Sequence, residues 1–161
     1  MTASRSAAAK EPVNPDAELR APREPARSWR AQAPVVAVVS VGGAIGATAR
    51  YAGSLLWPTA AGGFPWTTFL INVTGCAVIG VFLVLVSEVW TAHRLLRPFF
   101  GTGVLGGYTT FSTYAVEIER LVDAGEARTA LLYLAATLFA ALGAVALAVT
   151  ATRRVLAWRQ S

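Results

Sequence analysis

The sequence predicts an all-α integral membrane protein with four transmembrane helices, and three observations support this fold class. Hydrophobic residues make up 55% of the 161-residue chain, whereas charged residues make up only 14%; an average soluble domain has about 25%. Residues 51–87 contain no Asp, Glu, Lys, Arg or His, and neither do residues 129–152. Uncharged, mainly apolar runs of about 20 residues are long enough to cross a hydrocarbon core about 30 Å thick.

The first 32 residues differ in composition from the rest of the chain. They are rich in Ala, Pro, Glu and Arg and have no apolar periodicity. Such a segment cannot bury enough apolar surface to offset the entropy of ordering it. We therefore predict a disordered cytoplasmic tail over residues 1–32. A secretory signal is excluded, because its apolar stretch would begin closer to the first residue.

A membrane domain over residues 33–155 follows the tail. Its four predicted spans cover residues 34–57, 66–89, 95–121 and 128–152. The first span ends before Pro58, and the second opens with Trp66, a residue type that anchors helices at headgroup level. The third span is the least hydrophobic. Short connections join the spans, which predicts one bundle with a short C-terminal tail at residues 156–161.

Positive charges are concentrated on one side of the predicted bundle. That side carries eleven of the Lys and Arg residues, and the opposite side carries three, Arg50, Arg120 and Arg128. The positive-inside rule then places both termini in the cytoplasm, beneath the cell membrane. Because these charges flank membrane spans, the net charge of +5 does not indicate a nucleic-acid partner. The eleven are Arg5, Lys10, Arg20, Arg23, Arg27, Arg30, Arg94, Arg97, Arg153, Arg154 and Arg159.

Residues 101–113, GTGVLGGYTTFST, contain a glycine pattern with three possible meanings. Gly101, Gly103 and Gly106 match G-x-G-x-x-G, but a dinucleotide site also needs a βαβ unit, which the flanking membrane spans exclude. Close helix packing through small residues is the second possibility, and the spacing G-x-x-x-G that favours it occurs at Gly42/Gly46 and Gly103/Gly107.

The third possibility is a break near the middle of the third helix. Glycines permit non-helical backbone, and the hydroxyls of GGYTT compete for backbone hydrogen bonds. Carbonyl groups freed at such a break can bind a small cation.

Several polar side chains fall inside the predicted spans. Asn72, with Thr68 one turn before it, is costly in a membrane unless it has a partner, so it either bonds another helix or lines an ion path. Arg50 is either an interfacial anchor or a positive charge at the mouth of an anion path. Phe111 and Tyr114 share a helix face, where they either pack or present electropositive ring edges to an anion. The hydroxyls of Ser112 and Thr113 lie beside them in sequence. In the fourth span, Tyr133 and Thr137 stand at i and i+4 and form a polar stripe on an otherwise apolar helix.

An enzyme is not expected, since the sequence offers no Ser/His/Asp set, metal-ligand spacing or paired intramembrane carboxylates. The single cysteine, Cys76, cannot form an internal disulfide and is predicted to be a packing residue.

Three stretches, GGAIGATARY, TTFLINVTG and GVLGGYTTFSTYAVE, resemble the three signatures of the CrcB/Fluc fluoride channels. The resemblance covers residues 35–155, and the block GGxTTFST is its most specific part. It implies passive export of toxic fluoride through an antiparallel dimer, with membrane lipid around it and no catalysis. Two rivals remain open: a small drug/proton antiporter, which needs a carboxylate that the first span lacks, and a non-transporting assembly subunit.

The resemblance also implies roles for individual residues. Asn72 would contact fluoride, with Thr68 lining the same path, and Phe111 would supply a ring edge. Tyr114 stands where the family usually has Phe. Arg50 and Glu117 would lie near the pore ends. The hydroxyl donors along the path would be Ser112, Thr113, Tyr133 and Thr137.

The backbone carbonyls of Gly106 and Thr109 would hold a structural sodium ion at the dimer interface, again by resemblance. Many family members insert in both orientations with nearly balanced charge. The bias of eleven to three instead favours a fixed orientation and pairing with an oppositely oriented paralogue, with a homodimer as the alternative.

Overall fold

The computed structural model describes residues 29–89 and 94–160, which form α-helices and π-helical segments and no strand. The α-helices are α1 (Trp29–Leu56), α2 (Trp66–Val84), α3 (Gly106–Tyr108), α4 (Ser112–Asp123) and α5 (Ala127–Gln160). A π-helical turn, Leu85–Val89, extends α2, and a π-helical segment, Pro98–Leu105, leads into α3.

Within these described residues, three stretches are long and apolar enough to cross a membrane: Gln32–Leu56, Trp66–Val89 and Ala127–Arg159. They coincide with the first, second and fourth predicted spans, so the prediction of an all-α membrane protein is confirmed. Residues 1–28 of the predicted tail lie outside the described residues. Helix α1 begins at Trp29, so the last residues of the predicted tail, 29–32, belong to this helix. The chain divides into two units, Met1–Gln32 and Ala33–Ser161, and the packing of the helices lies in the second.

Helix ends follow local sequence signals. Helix α1 ends at Leu56, just before Trp57-Pro58, because the residue before a proline is disfavoured in helical conformation. The connection to α2 turns at Gly62, whose φ of 70° favours glycine. The Thr67 hydroxyl donates to the Trp57 carbonyl and so ties the start of α2 to the end of α1. Helix α5 continues to Gln160, through the residues predicted as a C-terminal tail.

Helix α2 packs along α5, and α4 packs against the first part of α5. The α2–α5 contact is close at Gly80, where a Cβ atom would lie 2.8 Å from the Ala148 Cβ. A small core forms beneath α4 from Leu121, Ala130 and Tyr133. Much of the apolar surface of α1 and α5 is exposed, as expected where helices meet lipid or a protein partner.

The stretch that connects the π-helical segment to α4 changes direction at Thr109. Helix α3 ends at Tyr108, Thr109 is extended (φ −76°, ψ 157°), and α4 begins at Ser112. Helix α1 packs backbone to backbone on the π-helical segment: a Cβ on Gly103 would lie 3.0 Å from the Gly42 Cα. The predicted close packing through small residues is therefore confirmed.

Candidate functional site

Asn72 on α2 pairs with the Thr110 peptide group in both directions. Its Nδ2 donates to the Thr110 carbonyl at 3.0 Å, and the Thr110 N–H donates to Oδ1 at 2.9 Å. The side chain is buried, so these two bonds offset the cost of placing an amide there. The amide has a second Nδ2 hydrogen that this pairing does not use. Asn72 thus fixes the position of the chain between α3 and α4.

Two backbone donors near Thr109 bond to side chains instead of helical carbonyls. In a continuous α-helix the N–H groups of Thr110 and Thr113 would bond the carbonyls of Gly106 and Thr109. Here the Thr110 N–H bonds Asn72, and the Thr113 N–H donates to Thr110 Oγ1 at 3.1 Å. The carbonyls of Gly106 and Thr109 therefore lose their usual helical donors. These are the two residues predicted to bind sodium.

Arg50, predicted near a pore end, contacts the end of α3. Its Nε donates to the Gly107 carbonyl at 3.2 Å, across 57 positions in sequence. The guanidinium is favourable there because the last carbonyls of a helix carry partial negative charge. Gly107 lies between Gly106 and Thr109, the two residues predicted to bind sodium. The resemblance gives no role to the Gly107 carbonyl, and in the structure this carbonyl accepts a hydrogen bond from Arg50.

The rings of Phe111 and Tyr114 lie together, with centroids 5.8 Å apart. Phe111 is 80% exposed, whereas the Tyr114 ring is also 5.2 Å from that of Tyr133. The Tyr114 hydroxyl donates to the Leu134 carbonyl on α5 at 2.9 Å. The Tyr114 hydroxyl, the group that a Phe at this position would lack, is therefore bonded to backbone.

Ser112 and Thr113 meet at the Thr110 hydroxyl. Thr110 Oγ1 lies 3.0 Å from Thr113 Oγ1 and 3.3 Å from Ser112 Oγ. Thr110 was not among the predicted site residues, although both its peptide and its hydroxyl hold the region together. The signal that could have identified it is the pair of hydroxyl residues after two glycines, since such hydroxyls compete for backbone bonds.

Glu117 joins three helices inside the protein. Thr68 Oγ1 on α2 donates to its Oε1 at 2.8 Å, and the Tyr133 hydroxyl on α5 donates to its Oε2 at 2.7 Å. Tyr133 is fully buried and Thr68 nearly so. Thr68 and Tyr133 were predicted to line the fluoride path, and Glu117 was predicted to lie near a pore end. The two hydrogen bonds bring these three residues together.

Thr137 lies one turn beyond Tyr133 on α5, and its hydroxyl is buried without a partner among the described residues. Burying an unpaired hydroxyl costs about 1–3 kcal/mol. A small polar guest that accepts a hydrogen bond would remove this cost. The predicted polar stripe on α5 therefore faces the protein interior and includes an unsatisfied donor.

Comparisons with known proteins agree with this picture. The family model described as CrcB-like protein, Camphor Resistance (CrcB), matches residues 37–149. The protein named fluoride-specific ion channel FluC 2 of Streptomyces avermitilis is 70% identical over 124 residues, which cover 77% of this chain and 78% of that protein. FluC 1 of Streptomyces coelicolor is 69% identical over 138 residues, 85% and 90% of the two chains. FluC 2 of Nocardia farcinica is 52% identical over 129 residues, 80% and 92%. The matched region contains every site residue above, and the chain belongs to the CrcB family.

Proposed function

We propose that this protein is a fluoride-selective ion channel through which toxic fluoride leaves the cytoplasm passively. The observation that carries the proposal is a set of buried polar side chains, Thr68 and Asn72 on α2 and Tyr133 and Thr137 on α5, inside an otherwise apolar membrane protein. Fluoride is small and strongly hydrated, so a pore must replace its water with well-placed hydrogen-bond donors. The names of the relatives support the choice of ion.

The donors act along the path in the proposed mechanism. Asn72 offers its second Nδ2 hydrogen, and Thr137 offers its unpaired hydroxyl. Phe111 presents a ring edge, which is electropositive. Ser112 and Thr113 supply further hydroxyls beside it. Uncharged donors stabilise the anion without trapping it, so that it enters and leaves quickly.

The stretch from Pro98 to Asp123 forms the third membrane span in this proposal, with its helix broken at Thr109–Phe111. Non-helical backbone at membrane depth is tolerated only where protein buries it or a polar cavity lies beside it. The pairing of Asn72 with Thr110 supports this, because it satisfies the peptide group at the interruption.

The active unit in the proposal is an antiparallel dimer with a structural sodium ion at its interface. The carbonyls of Gly106 and Thr109 would hold this ion, and oxygen ligands of this kind suit Na⁺. The diversion of their helical donors to Asn72 and Thr110 supports the assignment. When bound, sodium would supply positive charge near the centre of the dimer.

We further propose a fixed orientation in the cell membrane, with both termini cytoplasmic and an oppositely oriented paralogue as the partner. The bias of eleven to three positive charges supports it. Among the relatives, Streptomyces avermitilis has proteins named both FluC 2 and FluC 3. Tagging the C-terminus in cells tests the proposal, and equal labelling from both sides would refute fixed orientation.

Fluoride efflux from proteoliposomes tests the function itself. Vesicles loaded with fluoride, with sodium on both sides, are diluted into fluoride-free buffer and followed with a fluoride electrode. The protein is reconstituted alone and with a co-expressed paralogue. We expect rapid fluoride release and no chloride release in a parallel experiment. Efflux no faster than from empty vesicles in both preparations would overturn the channel assignment, and proton-driven uptake of a cationic drug would favour the antiporter.

A further inference from the structure

We propose that a cavity between the α1–α2 connection and α4 is the outer antechamber of the fluoride path, and that Arg120 makes this antechamber accessible to anions. The inference rests on the proposed channel function. It assigns a role to Arg120 beyond its contribution to the charge bias across the membrane.

The cavity has a volume of about 310 Å³, enough for several water molecules and a hydrated ion. One wall is the connection before α2, and the other is the last part of α4. Its lining includes Thr59, Gly62, Pro65, Glu117, Arg120 and Leu121.

Glu117 connects this cavity to the interior of the protein. Its carboxylate lines the cavity, and both of its oxygens accept hydrogen bonds from buried hydroxyls, those of Thr68 and Tyr133. Thr137 follows Tyr133 one turn further along α5, with its hydroxyl unpaired. Buried hydroxyls thus lie directly behind the cavity-lining Glu117, as expected for an ion path that opens there.

The Glu117 carboxylate would oppose the entry of an anion, and the Arg120 guanidinium can offset this repulsion. A carboxylate at the inner end of the cavity repels fluoride. Arg120, one turn later on α4, is the basic residue in the cavity lining. Its guanidinium can therefore offset the negative charge at the inner end of the cavity.

The surroundings make this single positive charge decisive. Asp123 lies one turn beyond Arg120 on α4, and Glu119 is on the same helix. The Glu126 side chain approaches Gly62, with its Cγ 3.6 Å from where a Cβ on that glycine would lie. Without Arg120 the cavity lining would hold the Glu117 carboxylate and no basic residue. The exposed position of Arg120 keeps its attraction for fluoride weak, so the ion is concentrated but not held.

The proposal is tested by changing the charge at position 120 and measuring fluoride efflux through each variant at low ionic strength. We expect Arg120→Lys to stay within about twofold of wild type, Arg120→Gln to lose about threefold, and Arg120→Glu to lose about tenfold. Salt at about 1 M should shrink these differences, because it screens exposed charges. Arg128→Glu is the matched control: the same reversal at the start of α5, outside the cavity lining.

Equal flux through Arg120→Glu and Arg128→Glu would overturn the antechamber while leaving the channel function intact. Absence of fluoride flux through the wild-type protein, alone and with its paralogue, would overturn both. The two failures are therefore distinguishable.

A second test does not depend on the folding of the Arg120 variants. The single cysteine is removed by Cys76→Ala, and a new one is introduced at Ala124 in the cavity lining or at exposed Val122 outside it. Each purified channel is labelled with thiol reagents of similar size and opposite charge. A negative label on Ala124→Cys should slow efflux several-fold more than a positive label, and on Val122→Cys the sign should not matter. Equal effects of both signs at position 124 would contradict an electrostatic antechamber.

Discussion

The two halves of the stretch from Pro98 to Asp123 are held in the protein by different kinds of contact. Before Thr109, the π-helical segment lies against α1 through glycine backbone, with Gly103 against Gly42 and Gly46 against Val104. From Thr110 onward, polar side chains hold the stretch: Asn72 pairs with Thr110, and buried hydroxyls bond the Glu117 carboxylate.

We call residues 98–108 the backbone half of this stretch and residues 110–123 the polar half, after the contacts that hold them. The two halves should differ in what they control, protein stability or ion conduction. Backbone packing has few alternatives, since any added atom collides, and it therefore fixes where the π-helical segment lies. Hydrogen-bond donors, in contrast, can exchange one acceptor for another at little cost when the new acceptor is an anion. We expect substitutions in the first half to change folding and those in the second half to change conduction.

Asn72→Ala should produce the largest effect and is the strongest test of the polar half. It leaves the part-buried Thr110 N–H and carbonyl without partners and removes the proposed amide donor. A hydrogen bond to a charged group contributes about 1.5–3 kcal/mol. Since 1.36 kcal/mol is a factor of ten in rate, we expect fluoride efflux to fall about 10- to 100-fold.

The control for Asn72 is Asn72→Asp, which keeps the acceptor for the Thr110 N–H and loses the donor. We expect it to assemble, as judged by size-exclusion elution, and to conduct poorly. Unimpaired efflux through correctly assembled Asn72→Ala would remove Asn72 from the path and equate it with an ordinary interhelical contact.

Gly46→Ala should destabilise the protein through the backbone half. The new Cβ would overlap the Val104 carbonyl and lie 2.7 Å from the Tyr108 nitrogen, and neither backbone atom can turn aside. Overpacking of this kind costs about 1–3 kcal/mol. Thermal unfolding in detergent measures the effect.

Gly43→Ala provides a matched control on the same helix, because a Cβ there meets nothing within 4 Å. Alanine is the better helix former, so this variant should be unchanged or up to about 1 kcal/mol more stable. Equal melting temperatures for the two variants would contradict the proposed backbone packing between α1 and the π-helical segment.

The backbone half was largely predictable from the sequence, and the polar half was not. Helical spans follow from runs of apolar residues, and close packing follows from the spacing of Gly42/Gly46 and Gly103/Gly107, because both depend on local composition. The pairing of Asn72 with Thr110 spans 38 positions. Sequence indicated that Asn72 needs a partner but offered no means to choose one.

Arg50 illustrates the same limit. Its position near the end of the first span permitted either an interfacial anchor or a pore mouth, and the contact with Gly107 depends on how α1 packs against α3. Glu117 likewise was assigned only by resemblance. Its bonds with Thr68 and Tyr133 arise because α2, α4 and α5 converge at one level, which a single sequence does not specify.

Tyr114→Phe should give the smallest effect and sharpens the distinction within the polar half. The Tyr114 hydroxyl donates to the Leu134 carbonyl, so in this structure its hydrogen bond joins α4 to α5 and is not directed to the proposed fluoride path. Its removal should cost about 0.5–1.5 kcal/mol in thermal stability, the net value of one hydrogen bond, while fluoride efflux stays within about twofold. Tyr133→Phe is the comparison, since that hydroxyl bonds the Glu117 carboxylate and its loss should slow efflux as well. If Tyr114→Phe slowed efflux as strongly as Tyr133→Phe, the Tyr114 hydroxyl would have to leave Leu134 and meet the ion during conduction.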